Sequence, residues 1–183
     1  MPSKLFVISG PSGAGKGTLV ARLMREVPEA WLSVSATTRQ PREGEIPGES
    51  YVFMTKEQFE RGISENGFLE WAQYNENYYG TPIAPIQEHL SAGQPVILEI
   101  EVQGAFQVKK IFPEACLVFI EPPSMEELRR RLTGRGTETA EVIEARMKTA
   151  EIEMERRYDY DVRVINDSLE VATMELAAIV RGQ

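Results

Sequence analysis

The chain has 183 residues, of which 42% are hydrophobic and 26% charged, with a net charge of −8. That balance excludes a disordered chain, and its acidity argues against wrapping nucleic acid, where phosphate neutralisation drives binding. A single cysteine and a single histidine exclude an intrachain disulfide and a His/Cys metal cluster.

The length fits one domain with a sizeable core. No apolar run approaches the ~20 residues of a membrane span. The N-terminal apolar stretch is too short for a signal sequence, so the chain reads as soluble and cytoplasmic. Lys4 to Ser9 reads as a buried strand. A glycine-rich segment follows, and then a helix from Thr18 to Glu26 with Leu19, Val20, Leu23 and Met24 at helical spacing. Residues 31–53 hold two short strand-like pieces around a Pro/Gly-rich turn. Thr55 and Gln58 have capping-box spacing, which predicts a helix to about Ser64. "FLEWAQYNENYYG" reads as strand with a turn at Asn75 to Asn77, so about 34–82 forms a strand-rich insert.

After a helix near Pro85 to Ser91 come a strand at Pro95 to Ile100, a helix at Val102 to Ile111 and a strand at Ala115 to Ile120. Such unalternating apolar strands between helices favour a parallel sheet covered on both faces. Ser124 and Glu127 form a second capping-box match, opening a helix through Leu132 that "TGRGTET" breaks. Ala140 to Arg157 is a long charged helix and Asp161 to Ile165 a strand. Asp167 is expected to cap the last helix, with Glu170 three positions on.

The chemistry concentrates in "GPSGAGKGT": Gly10, Pro11, Ser12, Gly13, Ala14, Gly15, Lys16, Gly17 and Thr18. Glycines allow successive backbone N–H groups to curl around a phosphate, the following helix adds its N-terminal partial positive charge, and Lys16 adds a mobile cation. The usual hydroxyl directly after the lysine is replaced by Gly17, with Thr18 one position later, which weakens the case for direct magnesium ligation by the loop. In "SVSATTRQPREGE", Arg39 and Arg42 stand three apart, with Tyr51 not far behind; two guanidiniums and a phenol suit one phosphate. His89 reads as a helix-surface residue and Cys116 as a small hydrophobe on a buried strand.

Taken together, "SGPSGAGKGTL", "SVSATTRQPREGE", "FLEWAQYNENYYGT", "LEIEVQGA", "EPPS" and "LTGRGTET" resemble a guanylate kinase in order and spacing. The resemblance implies an α/β fold: a three-layer parallel-sheet core (1–33, 84–124 and 158–183), a strand-rich GMP-binding lobe (34–83) and a helical lid with flanking helices (125–157). It implies transfer of the γ-phosphoryl group of ATP to GMP with Mg2+. Ser35, Glu70, Thr81 and Glu101 would then face guanine, with Ser35 and Thr81 donating to its O6. Arg39, Arg42, Tyr51 and Tyr79 would hold the GMP phosphate. Lys16, Arg39, Arg131 and Arg146 would be the catalytic cations, and Arg131 and Arg135 would flank ATP. "LEIEVQGA" departs from the family in carrying Glu99 and Glu101 where aspartates are usual; Glu99 would meet the metal through water. The partners implied are ATP and GMP, without nucleic acid or membrane, and with room for a homo-oligomer. Two other readings share parts of this pattern: a kinase of another nucleoside monophosphate, and a non-catalytic binding module of the same fold.

Overall fold

The computed structural model describes residues 4–134 and 139–182. Its first strand, β1 (Leu5–Ser9), is buried along its whole length. It lies at the centre of a five-stranded sheet with β2 (Trp31–Leu32), β7 (Val96–Glu99), β8 (Cys116–Glu121) and β9 (Val162–Ile165), in the order β2-β7-β1-β8-β9. Every pairing in it is parallel. The reason is visible in the side chains of β1. Phe6 and Ile8 point to one face, where Leu19, Leu23, Leu176 and Val180 cover them; Leu5 and Val7 point to the other, beneath Ile86, Val102, Ala105 and Val108. A strand apolar on both faces needs helices on both sides, and parallel strands linked by helical crossovers supply them.

Those helices are α1 (Lys16–Glu26) and α7 (Leu169–Arg181) on the first face, and α3 (Ile83–Ser91) and α4 (Val102–Ile111) on the second. The helix expected from Thr18 starts at Lys16, so the lysine sits in its first turn. Ser168, not Asp167, caps α7: its Oγ accepts from the Val171 N–H (3.4 Å). Either residue type can cap, but Ser168 is the one with extended backbone next to the first turn.

The insert folds as a second, four-stranded sheet, β4-β3-β6-β5, from β3 (Ala36–Thr37), β4 (Val52–Phe53), β5 (Phe68–Tyr74) and β6 (Asn77–Pro82). β5 and β6 form the expected antiparallel hairpin. Helix α2 (Lys56–Ser64) opens with the full reciprocal capping box of Thr55 and Gln58. Its fully buried Phe59 stacks on Phe68 (4.1 Å between centroids) and on Tyr78 (5.2 Å). The insert therefore has an aromatic core of its own. The first of the strand pieces read in 31–53, β2, lies ahead of the insert and pairs with β7 in the main sheet.

Helices α5 (Met125–Thr133) and α6 (Ala140–Glu155) pack on each other through Leu128, Leu132, Met147 and Ala150. The Ser124–Glu127 box is only half formed. Ser124 Oγ accepts from the Glu127 N–H (3.1 Å), but the Glu127 carboxylate turns to Arg130 and Arg131. Three bonds from two guanidiniums outcompete the single backbone N–H that the cap would offer the carboxylate. A 3-10 turn at Arg156–Asp159 ends α6 short of Arg157. Among the described residues no helix is long and apolar enough to cross a membrane. His89 is half-buried, stacked on Trp31 (4.0 Å between centroids) and bonded to Gln94.

Candidate active site at the carboxyl ends of the central strands

The loop between β1 and α1 leaves the carboxyl end of the central strand, where ligands of parallel α/β sheets bind. Gly15 adopts φ +87°, and a Cβ there would meet Asn166 Nδ2 at 2.6 Å, so both backbone and space require glycine. Lys16 folds back into the loop, its Nζ donating to Gly10 O (2.5 Å) and Pro11 O (3.3 Å). Thr18 is exposed in the first turn of α1. Glu99, at the end of neighbouring β7, lies 3.7 Å (Oε1) from a Cβ built on Gly17, so a carboxylate faces the place where the missing hydroxyl would stand. Withdrawal from water raises the Glu99 carboxyl; Lys16 pulls it down and Glu101 pushes it up.

Two adjoining cavities open here. One, of about 350 Å³, is lined by Lys16, Ser35, Tyr51, Glu99 and Glu101 among others. The second, of about 620 Å³, shares Ser35, Tyr51, Glu99 and Glu101 with it and adds Glu70, Tyr79 and Gly104. They join the loop to the insert. Glu70 on β5 faces Thr81 on β6 across the hairpin, and the buried Thr81 hydroxyl donates to Glu70 Oε1 at 2.6 Å. Gly104 lets α4 approach: a Cβ there would stand 3.2 Å from Glu70 Oε2. Burial raises the Glu70 carboxyl, the Thr81 bond opposes the rise and Glu101 adds to it. A hydroxyl has one proton to donate. With it given to Glu70 in this structure, the Thr81 hydroxyl orients the carboxylate.

Arg39 is held by a fork-to-fork pair with Glu45, Nη1 to Oε2 at 3.0 Å and Nη2 to Oε1 at 2.8 Å. Its guanidinium lies 5.3 Å from the centre of the Tyr51 ring. The backbone N–H of Arg42 donates to the same carboxylate (2.7 Å), while the Arg42 side chain is exposed. These contacts, led by the Arg39 bond, pull the Glu45 carboxyl down to about 2.

A family model described as guanylate kinase matches residues 2–183. The guanylate kinase of Synechococcus sp. (strain CC9311) is 54% identical over 170 residues, 93% of this chain and 90% of its own length. That of Thermobifida fusca (strain YX) is 52% identical over 179 residues, 98% of this chain and 91% of its own. The chain belongs to the guanylate kinase family. The crystal structure of guanylate kinase from Anaplasma phagocytophilum superposes with a TM-score of 0.77 at 32% identity, covering 97% of this chain and 84% of that one.

In this guanylate kinase fold Arg131, near the end of α5, reaches back to the loop. Its Nη2 donates to Asn166 O (3.0 Å), its Nε to Glu127 Oε1 (2.9 Å), and its Nη1 lies 3.5 Å from Ala14 O. Arg146 is half-buried on α6, one position before the Met147 that packs on α5. Arg135 lies outside the described residues. The structure thus gathers Ser35, Tyr51, Glu70, Tyr79, Glu99 and Glu101 around two adjoining cavities, the first of them also lined by Lys16, and leaves Arg39, Arg42, Thr81, Arg131 and Arg146 outside both linings.

Sequence reasoning missed four residues here. Glu45 ends the very segment that carries Arg39 and Arg42, so the spacing was available. Glu127 was read as a cap alone. Glu153 on α6 feels Glu101 and Lys16, and loss of water, aided by Glu101, raises its carboxyl to about 7. Asn166 bonds Ala14 O (2.8 Å) across 152 residues, a contact that no local pattern announces.

Proposed function

We propose that this chain is an ATP:GMP phosphotransferase. A phosphate oxygen of GMP attacks the γ-phosphorus of ATP, the bond from that phosphorus to the bridging oxygen breaks, and the electron pair leaves on ADP as GDP forms. The observation that carries the reading is the pair of adjoining cavities, one lined by Lys16 and the other by Glu70, that share Ser35, Tyr51, Glu99 and Glu101, within a guanylate kinase family chain. No general base is needed, because the attacking oxygen is already anionic.

Residues 10–18 hold the donor's phosphates through backbone N–H groups, with Lys16 exchanging its loop carbonyls for phosphate oxygens. The Glu70 carboxylate accepts from guanine N1–H and the 2-amino group, which adenine lacks there. Ser35 donates to O6, and Glu101 lines the same pocket. Arg39, Arg42, Tyr51 and Tyr79 take the acceptor's phosphate. Arg131 and Arg146, on helices that act as a lid over residues 125–157, come to the transferring group, where guanidiniums stabilise charge spread over three oxygens. Residues 34–83 act as the acceptor lobe, and closure of lobe and lid excludes water and suppresses ATP hydrolysis.

The Glu99 carboxylate, facing Gly17 at the loop mouth, fits a hard cation such as Mg2+ held through water. Bound there, the ion would neutralise phosphate charge.

The test is ADP formation from ATP and magnesium with GMP, AMP, dTMP and CMP as separate acceptors. Fast turnover is expected with GMP alone; turnover with another acceptor would overturn the guanine site. Lys16→Ala is expected to abolish turnover without loss of the folded circular-dichroism spectrum, and near-normal turnover in that variant would overturn the loop's role.

A further inference from the structure

Asn166 follows β9 and is 5% exposed. Its backbone N–H donates to Glu121 O (2.8 Å), which fixes it at the carboxyl end of the sheet. Its side-chain Nδ2 donates to Ala14 O (2.8 Å) inside the glycine-rich loop, and its own carbonyl accepts from Arg131 Nη2 (3.0 Å). It also fills the space beside Gly15. A trans peptide is planar, with its C=O and N–H pointing in opposite directions. Anchoring the Ala14 oxygen to Asn166 therefore turns the Gly15 N–H away from Asn166.

We propose that Asn166 is a positioning residue for phosphoryl transfer. Its carboxamide sets the Ala14–Gly15 peptide so that the Gly15 N–H faces the donor's phosphates, and its carbonyl seats Arg131 beside the same loop. One buried residue thereby holds the backbone donor and the guanidinium in a common frame. Without Asn166 the Ala14 oxygen would keep only the long 3.5 Å approach of Arg131 Nη1, and the peptide would gain freedom to rotate, because Gly15 at φ +87° carries no side chain to stop it. This inference rests on the reading that residues 10–18 bind ATP phosphates.

The probe is inorganic triphosphate, which has no base or sugar to contact. In Asn166→Ala the dissociation constant for triphosphate, by calorimetry, and KM for ATP are expected to rise about tenfold together, while KM for GMP stays within about twofold. A purely structural residue would lower the melting temperature without separating the two substrates. Should Asn166→Ala fail to fold, Asn166→Ser, whose hydroxyl is too short to reach Ala14, carries the same expectation. In the unmodified protein the Gly15 amide proton is expected to move downfield on saturation with triphosphate. Unchanged triphosphate binding in a folded variant, or a Gly15 amide that does not respond, would overturn the proposal. Lys16→Ala separates the two levels. If it binds triphosphate as tightly as the parent, the loop reading itself fails. If it weakens binding while Asn166→Ala does not, only the role of Asn166 fails.

Discussion

Replacing Glu70 by Gln tests the acceptor site at the atom that decides it. The Thr81 hydroxyl donates to Glu70 Oε1 at 2.6 Å, and guanine would offer two further N–H donors to the remaining lone pairs. Glutamine has one oxygen and one NH2 group. If its oxygen keeps the Thr81 bond, the NH2 group confronts two guanine donors. If the amide flips, Thr81 accepts instead and the oxygen faces guanine, but meets only one donor well and without charge. The second arrangement is the better one. It still forfeits one bond to an ionised group and weakens the other, about 2–4 kcal/mol in all. That converts to a fall in kcat/KM for GMP of about 30- to 1,000-fold, with KM for ATP unchanged. The fold should not suffer, because Glu70 is a carboxyl that burial already disfavours in its charged form. Steady-state kinetics on both substrates, with a thermal melt alongside, make the check. A folded Glu70→Gln enzyme that keeps kcat/KM for GMP within about threefold of the parent would refute the reasoning.

Three further outcomes follow from the ionisations. Burial raises the Glu70 carboxyl and guanine requires the ionised form, so KM for GMP should climb as pH falls through that raised value, and Glu70→Gln should lose this dependence. Glu45 and Glu127 are each held down to about 2 by arginine partners, so what those pairs add to stability is present above the unfolded carboxylate range of about 4.3 and lost as pH falls toward 2. Urea melts of Glu45→Gln and Glu127→Gln should show a smaller acid loss than the parent. Glu153 has the opposite sign: its folded carboxyl titrates at about 7, so the unfolded chain releases the proton first and stability falls as pH rises from about 4.5 through 7. Melts of Glu153→Gln should lack that part of the decline, and identical pH profiles for variant and parent would sink the assignment.

The elements were legible because their causes are local. β1, β7 and β8 read as buried strands from apolar runs, that of β7 interrupted by Glu99, and both of their faces are indeed covered. The Thr55–Gln58 box marked where α2 begins because capping acts over one turn. The loop was legible for the same reason: glycine, lysine and the following helix form one continuous stretch. What stayed hidden depends on side chains meeting across the fold. Ser124–Glu127 has the same spacing as Thr55–Gln58, yet Glu127 leaves the cap for Arg130 and Arg131, a competition that spacing alone cannot decide. Arg39 and Arg42 read as a matched pair for one anion. In the fold Glu45 takes the Arg39 fork and the Arg42 backbone, and only the guanidinium of Arg39 is drawn in beside Tyr51.

The same contacts explain how an acidic chain can present cations to phosphates. Lys16 rests on two loop carbonyls, Arg39 on Glu45, and Arg131 on Glu127 and the Asn166 carbonyl. Each cation has its geometry set by a protein acceptor before any nucleotide arrives. Ordering a free lysine or arginine side chain costs about 2 kcal/mol of rotamer entropy, and that ordering is already accomplished in the fold for all three. In the proposed reaction a phosphate would enter by exchanging acceptors, oxygen for oxygen, at side chains that are already ordered. Carbonyls and carboxylates are the right placeholders for this: they accept the same hydrogen bonds, yet a phosphate carrying two charges competes well against a neutral carbonyl at Lys16 and can share Arg39 with a single carboxylate. Preorganisation by replaceable acceptors would therefore reconcile a net charge of −8 with the proposed phosphate-transfer site.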